Sequence, residues 1–145
     1  MRNKAYDNMF YLCFIVERMF RATKIPHRSL INKIGIERLR HYYNFAEVFH
    51  CENPDKVVGD LAVDIGLDRP PLYHELENES SKPPYSKMAK SAARVINAVS
   101  KEDYVQGVYD YYNSFLPPLL NIYKNNLYWS SKEYLVACYL EGEIL

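Results

Sequence analysis

This sequence has few of the residue types from which metal, cofactor and catalytic sites are usually built. It contains 4 histidines, 3 cysteines and 5 glycines among 145 residues. Cys13, Cys51 and Cys138 are odd in number and far apart, which fits a reducing compartment better than a disulfide scaffold. No CxxC, HxxxH or HExxH spacing clusters zinc ligands, and no glycine-rich loop or nucleophile elbow is present. We therefore predict a protein with no metal, no cofactor and no enzyme activity.

The chain also lacks an apolar run long enough to cross a membrane. Met9–Val16 is an apolar stretch of eight residues, whereas a membrane-spanning helix needs about 20. Glu17, Arg18 and Arg21 follow it directly, without the small-residue cleavage site of a signal peptide. We interpret this stretch as a buried helix in a cytoplasmic protein that has no membrane partner.

An excess of charge of one sign is absent from the whole chain but not from its parts. Residues 1–51 contain nine lysines and arginines against four aspartates and glutamates, and residues 80–145 contain seven against six. In residues 52–79 the acidic residues predominate, with eight against two. The acidic middle is therefore predicted to lie near basic surface of the same chain or of a partner.

Tyrosine, by contrast, is abundant, with 14 residues against one tryptophan and 6 phenylalanines. A tyrosine ring is apolar and its hydroxyl needs a hydrogen-bond partner, so tyrosine is common at core boundaries and interfaces. The overall composition, 48% apolar and 25% charged, is that of a globular protein. The length fits one domain.

Helical periodicity runs through most of the sequence and predicts an all-α fold, a compact bundle of six to eight helices with a helix-turn-helix-like corner. No alternating strand pattern or internal repeat is found. The first five predicted helices cover about residues 4–23, 28–34, 37–50, 54–65 and 86–99. A further helix begins with a Ser100/Asp103 capping box and is interrupted at Pro117-Pro118. A short helix over 119–123 and a terminal helix from Ser130 to Leu140 follow.

Residues 77–85 (ENESSKPPY) are polar and contain no periodicity, so they are predicted to form a linker. We expect a single helical domain over residues 1–145, with two subdomains, 1–76 and 86–145, as the alternative on either side of this linker.

The segment Val57–Leu76 is similar to a helix-turn-helix, with Ala62 four residues before Gly66 and a second helix behind Pro70. The second helix of that motif enters the DNA major groove, but here it is part of the acidic middle of the chain. DNA affinity depends on neutralising phosphates, so this corner is predicted to serve packing.

A second helical corner, Ser29–Tyr42, has Ile31, Gly35 and Ile36 at similar spacing and a basic surface. It is the alternative candidate for nucleic-acid binding. Its candidate residues are Arg28, Lys33, Arg38, Arg40 and His41.

The helix after the linker carries a basic row opposite its apolar stripe. Lys87, Lys90, Arg94 and Lys101 fall within an arc of about 80° at 100° per residue. Such a row could bind phosphates, an acidic protein or the chain's own acidic segment, or it could simply be a solvated face.

The aromatic residues near the end of the chain supply further candidates for contact. Tyr109 and Tyr112 belong to an apolar stripe, whereas Tyr111 is predicted to point elsewhere. Tyr128 and Trp129 stand in a short polar turn, where they could form an exposed aromatic anchor of the kind that dominates protein interfaces.

The order FIVE (14–17), INKIGI (31–36), YYNFAEVFH (42–50) and VVGDL (57–61) resembles a family of short bacterial proteins of unknown function that are often encoded beside putative ADP-ribosyltransferase toxins. The resemblance covers roughly residues 9–65 and implies a small helical accessory protein, such as a toxin partner or antitoxin. It implies no catalytic residues. The longer C-terminal half departs from the brevity of the family.

These observations together predict a protein that binds another macromolecule without catalysis. The expected partner is another protein or a second copy of the chain, and nucleic acid is the disfavoured alternative. The predicted contact surface combines the basic row with the aromatic residues around Trp129.

Overall fold

The structure is a computed structural model that describes residues 3–70, 84–122 and 127–145. These ranges contain eight α-helices and no strand, so the predicted all-α fold is confirmed. The helices are α1 (Lys4–Thr23), α2 (His27–Asn44), α3 (Ala46–His50), α4 (Pro54–Asp64), α5 (Tyr85–Val99), α6 (Tyr104–Tyr112), α7 (Leu116–Leu120) and α8 (Lys132–Glu141). A short 3₁₀ helix, Leu127–Trp129, precedes α8.

Helix α1 lies at the centre of the bundle. It packs most extensively against α5 and also contacts α2, α3, α4 and α6. A helix with neighbours on most sides is buried over most of its circumference, and α1 accordingly buries Glu17, Arg18 and Arg21 together with its apolar residues. Helices from both predicted subdomain ranges therefore contribute to one core.

Local sequence signals set several helix ends as predicted. Asn53 caps α4 by accepting a hydrogen bond from the Asp55 amide at 2.8 Å, and Pro54 occupies the first turn. After α4, Gly66 has a φ of 87° and the Leu67 amide donates to the Ala62 carbonyl at 2.9 Å, which forms a Schellman turn. The first helix and turn of the helix-turn-helix-like corner are thus present. Its second helix, over residues 71–76, lies outside the described residues, as do residues 77–83 of the predicted linker.

The break predicted at Gly35 is present, whereas the continuous helix predicted over 37–50 was wrong. Gly35 has a φ of 80° and a ψ of 157°, so its backbone is not helical and it forms a kink between the two parts of α2. The predicted helix over 37–50 is instead divided at Phe45 into α2 and α3, because the Phe45 backbone leaves the helical region.

The helix starts predicted at Ser100 and Ser130 were both displaced. Asp103, and not Ser100, caps α6 through a 3.2 Å hydrogen bond from the Gln106 amide. Ser131, and not Ser130, caps α8 through a 3.2 Å bond from the Tyr134 amide. Each side chain satisfies a free amide of the first turn, and which of several polar residues does so depends on where the preceding segment ends. The short helix predicted over 119–123 is shifted as well, to α7 at Leu116–Leu120.

The orientation predicted for Tyr111 on α6 was wrong. Tyr111 is fully buried, while Tyr109 packs against the core as predicted but is only partly buried and donates to the Asn32 side chain at 2.6 Å. Helices α1, α2, α5 and α7 all contact α6, so its buried face is wider than a single stripe. Tyr111 is therefore a core residue and cannot belong to an exposed contact surface.

Among the described residues, no helix combines the length and apolar character needed to span a membrane. Cys13 and Cys138 are buried, as their positions on apolar helix faces predict, and Cys51 is exposed.

The buried tyrosines make the stability of the fold sensitive to alkaline pH. Burial raises the phenol pKa of Tyr11, Tyr111 and Tyr112 above the usual value. A group with a raised folded-state pKa binds its proton more tightly when folded, so its contribution to stability is lost as the pH rises above the unfolded value of about 10. We expect the unfolding midpoint to fall steeply above about pH 10, together with a late, cooperative rise in tyrosinate absorbance. A gradual rise that leaves the helical circular dichroism unchanged would contradict this.

Candidate functional site

Trp129 is the most exposed aromatic side chain of the described residues. It ends the 3₁₀ helix before α8, and 63% of its surface is open to solvent. The neighbouring Tyr128 is partly buried, and its ring centroid lies 5.0 Å from that of Trp129 at an interplanar angle of 40°. The Tyr128 ring therefore packs against the indole, while most of the Trp129 side chain is exposed to solvent.

The structure joins Trp129 to the predicted basic row. The Lys87 Nζ lies 4.9 Å from the centroid of the Trp129 ring, at cation–π distance. Lys90 and Arg94 are also exposed on α5. We call Lys87, Lys90, Arg94 and Trp129 the cation–indole surface.

Lys101 does not belong to the helical row as predicted. Helix α5 ends at Val99 and Ser100 leaves helical geometry, with a φ of −135°. The 100° spacing therefore does not extend to Lys101, which lies exposed in the following turn.

The cations of this surface form no ion pair with the part of the chain that the structure describes. Within residues 3–70, 84–122 and 127–145, no carboxylate lies within ion-pair distance of Lys87, Lys90 or Arg94. The acidic residues Glu75, Glu77 and Glu79 lie outside the described residues.

The alternative basic corner is arranged differently, because its arginines bind acceptors of the chain itself. Arg28 donates twice to the Asn113 carbonyl, at 3.0 and 2.7 Å. Arg38 donates to the Ile34 carbonyl at 3.1 Å, and Arg40 lies 3.5 Å from the Asp103 carboxylate. Lys33 and His41 are exposed. Arg28 and Arg40 thus connect α2 to the segments around α6, and Arg38 reaches α4 through a 3.5 Å contact with the Asp64 carbonyl.

The acidic middle partly neutralises itself and α1, as its position in the sequence predicts. The Asp55 carboxylate forms an ion pair with the buried Arg18 guanidinium. Asp60 contacts Arg69 at 2.7 Å and Lys56 at 3.2 Å, and these cations lower the pKa of Asp60.

A buried polar network that the sequence did not predict lies on the other side of α1. The Glu17 carboxylate accepts hydrogen bonds from the Tyr112 hydroxyl at 2.8 Å and from the Asn121 side-chain amide at 3.3 Å. His27 Nε2 lies 3.2 Å from Glu17 Oε1, within hydrogen-bond distance. Arg21 completes the network by donating to the Asn121 side-chain oxygen at 3.2 Å.

This network holds helices together and is closed to solvent. Glu17, His27 and Tyr112 are at most 1% exposed. Phe20 covers His27 as a stacked ring, with centroids 3.8 Å apart. A carboxylate, an imidazole and a phenol in contact could in principle transfer protons, but here both carboxylate oxygens are occupied by α2, α6 and the residue after α7.

One sequence signal for the network existed. Glu17 follows Met9 and Cys13 at intervals of four residues, so it continues the apolar row of α1 into the core. Its partners could not be identified in the same way, since they come from three other segments. No group of three or more histidine, cysteine, aspartate or glutamate side chains within the described ranges could hold a metal ion.

Comparison of the chain with protein-family models, with curated proteins and with solved structures found no match. The resemblance of residues 9–65 to the short bacterial family therefore stays a prediction.

Proposed function

We propose that this protein binds an acidic segment of another protein through the cation–indole surface. The observation that carries the proposal is the Lys87–Trp129 contact, because it unites an exposed indole with a row of cations in a single surface. Tryptophan and arginine are enriched among the residues that contribute most to protein interfaces.

The availability of these cations supports the proposal. A cation already bound by the chain must lose that contact before it can bind a partner, and Arg28 and Arg40 are bound in this way. Lys90 and Arg94 are exposed and have no such contact within the described ranges. An acidic partner would therefore gain new ion pairs with α5 without displacing existing ones.

A protein partner is favoured over nucleic acid. Nucleic-acid affinity depends on the number of phosphates neutralised, and each contact adds to the salt dependence. The cation–indole surface offers three cations on one helix, few for a duplex, and adds a large apolar anchor that a phosphate backbone does not require. In the basic corner, Lys33 and His41 are the two candidate residues whose side chains form no ion pair or hydrogen bond within the described ranges.

The single tryptophan makes a direct test possible. Trp129 emission reports on this surface alone, because the chain contains no other tryptophan. We expect a short peptide rich in glutamate and leucine to shift the emission to shorter wavelength in a saturable manner. Lys87→Glu together with Arg94→Glu should weaken binding by about tenfold or more, the loss that corresponds to about 1.4 kcal/mol.

The control variant is Lys33→Glu, which reverses an exposed charge in the basic corner. It should leave peptide binding unchanged. A response to duplex DNA that falls steeply with salt and is abolished by Lys33→Glu would instead support the nucleic-acid alternative. A shift that depends only on protein concentration, with a doubled mass in light scattering, would indicate self-association. No response to the peptide would overturn the proposal.

A further inference from the structure

An open pocket lies between α2, α3 and α4, away from the cation–indole surface. Its volume is about 420 Å³. It is lined by Glu37, Arg38, His41, Tyr42, Phe49, Asp60 and Asp64. We call it the acidic–aromatic pocket.

Aromatic rings form one wall of the pocket. The ring centroids of Tyr42 and Phe49 are 4.5 Å apart, and the His41 ring lies 5.7 Å from Phe49. The faces of aromatic rings carry negative electrostatic potential and attract ammonium and guanidinium groups.

Carboxylates form the other side. Asp60 is already bound by Arg69 and Lys56. No cation within the described ranges lies within ion-pair distance of the Glu37 or Asp64 carboxylate. Arg38, the basic lining residue, directs its guanidinium to the main-chain carbonyls of Ile34, at 3.1 Å, and Asp64, at 3.5 Å. Burial raises the pKa of Tyr42, Asp64 and Asp60 add to this effect, and Arg38 opposes it.

Large apolar side chains are exposed on or beside the helices that carry the lining residues, and one of them contacts the lining. Phe45 is 51% exposed, and its ring centroid lies 5.0 Å from that of His41. Val48 and Val63, which are sequence neighbours of Phe49 and Asp64, are also exposed. A free amine would have no use for these apolar side chains, whereas a protein surface could cover them.

We propose that the acidic–aromatic pocket binds a lysine or arginine side chain of a partner protein, with apolar residues of the same partner covering Phe45, Val48 and Val63. The cation would lie between the aromatic wall and the carboxylates of Glu37 and Asp64, where ring faces and charge-assisted hydrogen bonds act together. This docking site is distinct from the cation–indole surface in both place and sign of charge, and it does not depend on the proposed function.

The test uses a short peptide with one arginine flanked by leucines, followed by amide chemical shifts of the labelled full chain. We expect shifts confined to residues near the pocket in α2, α3 and α4. The matched peptide, in which citrulline replaces arginine, keeps the shape but removes the charge. It should bind about tenfold more weakly or not at all, because a hydrogen bond to a charged group is stronger than one to a neutral group.

The variants keep side-chain size and remove charge. Glu37→Gln with Asp64→Asn should weaken binding of the arginine peptide by about tenfold or more, as the loss of two charged contacts requires. Phe49→Leu should also weaken it, whereas Glu141→Gln on α8 should not. Unchanged circular dichroism of each variant establishes that it is folded.

The proposal would be overturned by equal binding of the citrulline peptide or by unchanged affinity of the double variant. Absence of any shift at millimolar peptide would also overturn it. Binding of arginine amide as tight as that of the peptide would point to a small-amine site and would overturn docking of a protein. Since Trp129 lies outside this pocket, failure here would leave the emission test of the proposed function unaffected.

Discussion

Asp55→Ala is expected to lower the free energy of unfolding by about 3–5 kcal/mol, the range typical of removing one partner of a buried ion pair. The cation left behind is Arg18, which is 1% exposed and whose guanidinium carbon also lies 5.5 Å from the centroid of the Tyr85 ring. The Asp55 side chain is 22% exposed, so water can partly replace it, and we expect the lower half of that range. Thermal unfolding followed by circular dichroism should show a midpoint lower by about 10 °C.

A double variant separates the buried charge from the other roles of Asp55, which also lies in the first turn of α4. Arg18→Met removes the cation, so adding it to Asp55→Ala should restore part of the lost stability. Glu47→Ala is the control, because its ion pair with Lys4 is exposed and should not measurably affect the midpoint. If Asp55→Ala unfolds at the same temperature as the original protein, the buried pair does not stabilise the fold.

Glu17→Ala is expected to lower the free energy of unfolding by about 3 kcal/mol or more, because each buried donor left without an acceptor costs about 1–3 kcal/mol. The Tyr112 hydroxyl and His27 Nε2 lose the carboxylate that they contact, whereas the Asn121 amide keeps the Pro117 carbonyl at 3.0 Å. The loss would be a large part of the total stability of a domain of this size.

Tyr112→Phe is the matched variant, because it removes one donor together with its demand for an acceptor. It should be destabilising by about 1–3 kcal/mol, clearly less than Glu17→Ala. Chemical unfolding monitored by circular dichroism measures both. The network would be energetically unimportant if Glu17→Ala were within about 1 kcal/mol of the original protein, since a single hydrogen bond contributes about that much.

The parts of the fold predicted from sequence are those set by neighbouring residues. The bounds of α1, the cap at Asn53, and the turns at Gly66 and Gly142 each depend on side chains within a few positions. Such signals act through backbone amides and carbonyls of the same turn, so they can be read without knowing what packs nearby.

The errors arose where tertiary packing decides. Tyr111 is fully buried and Tyr109 only partly, because four helices surround α6. The local sequence does not show which helices will pack against which side of α6. Glu17 and Arg18 on α1 appear in the sequence as the charged end of an apolar run, yet both are buried beside partners from other helices.

The candidate surfaces were predicted in part. The exposed state of Trp129, Lys87 and Arg94 follows from their place in polar positions, whereas their combination depends on how α5 packs against the 3₁₀ helix. The acidic–aromatic pocket had no sequence signature, since its lining comes from three helices that meet only in the folded chain.

The central position of α1 has a consequence for biosynthesis. Tyr112 follows Glu17 by 95 residues and Asn121 follows it by 104. At about 5–20 residues per second, a ribosome adds Tyr112 and Asn121 roughly 5–20 s after Glu17. Early in that interval α2, α3 and α4 are the described helices that can already pack against α1, so the part of its surface that α5 and α6 later cover is open to chaperones until those helices have been translated.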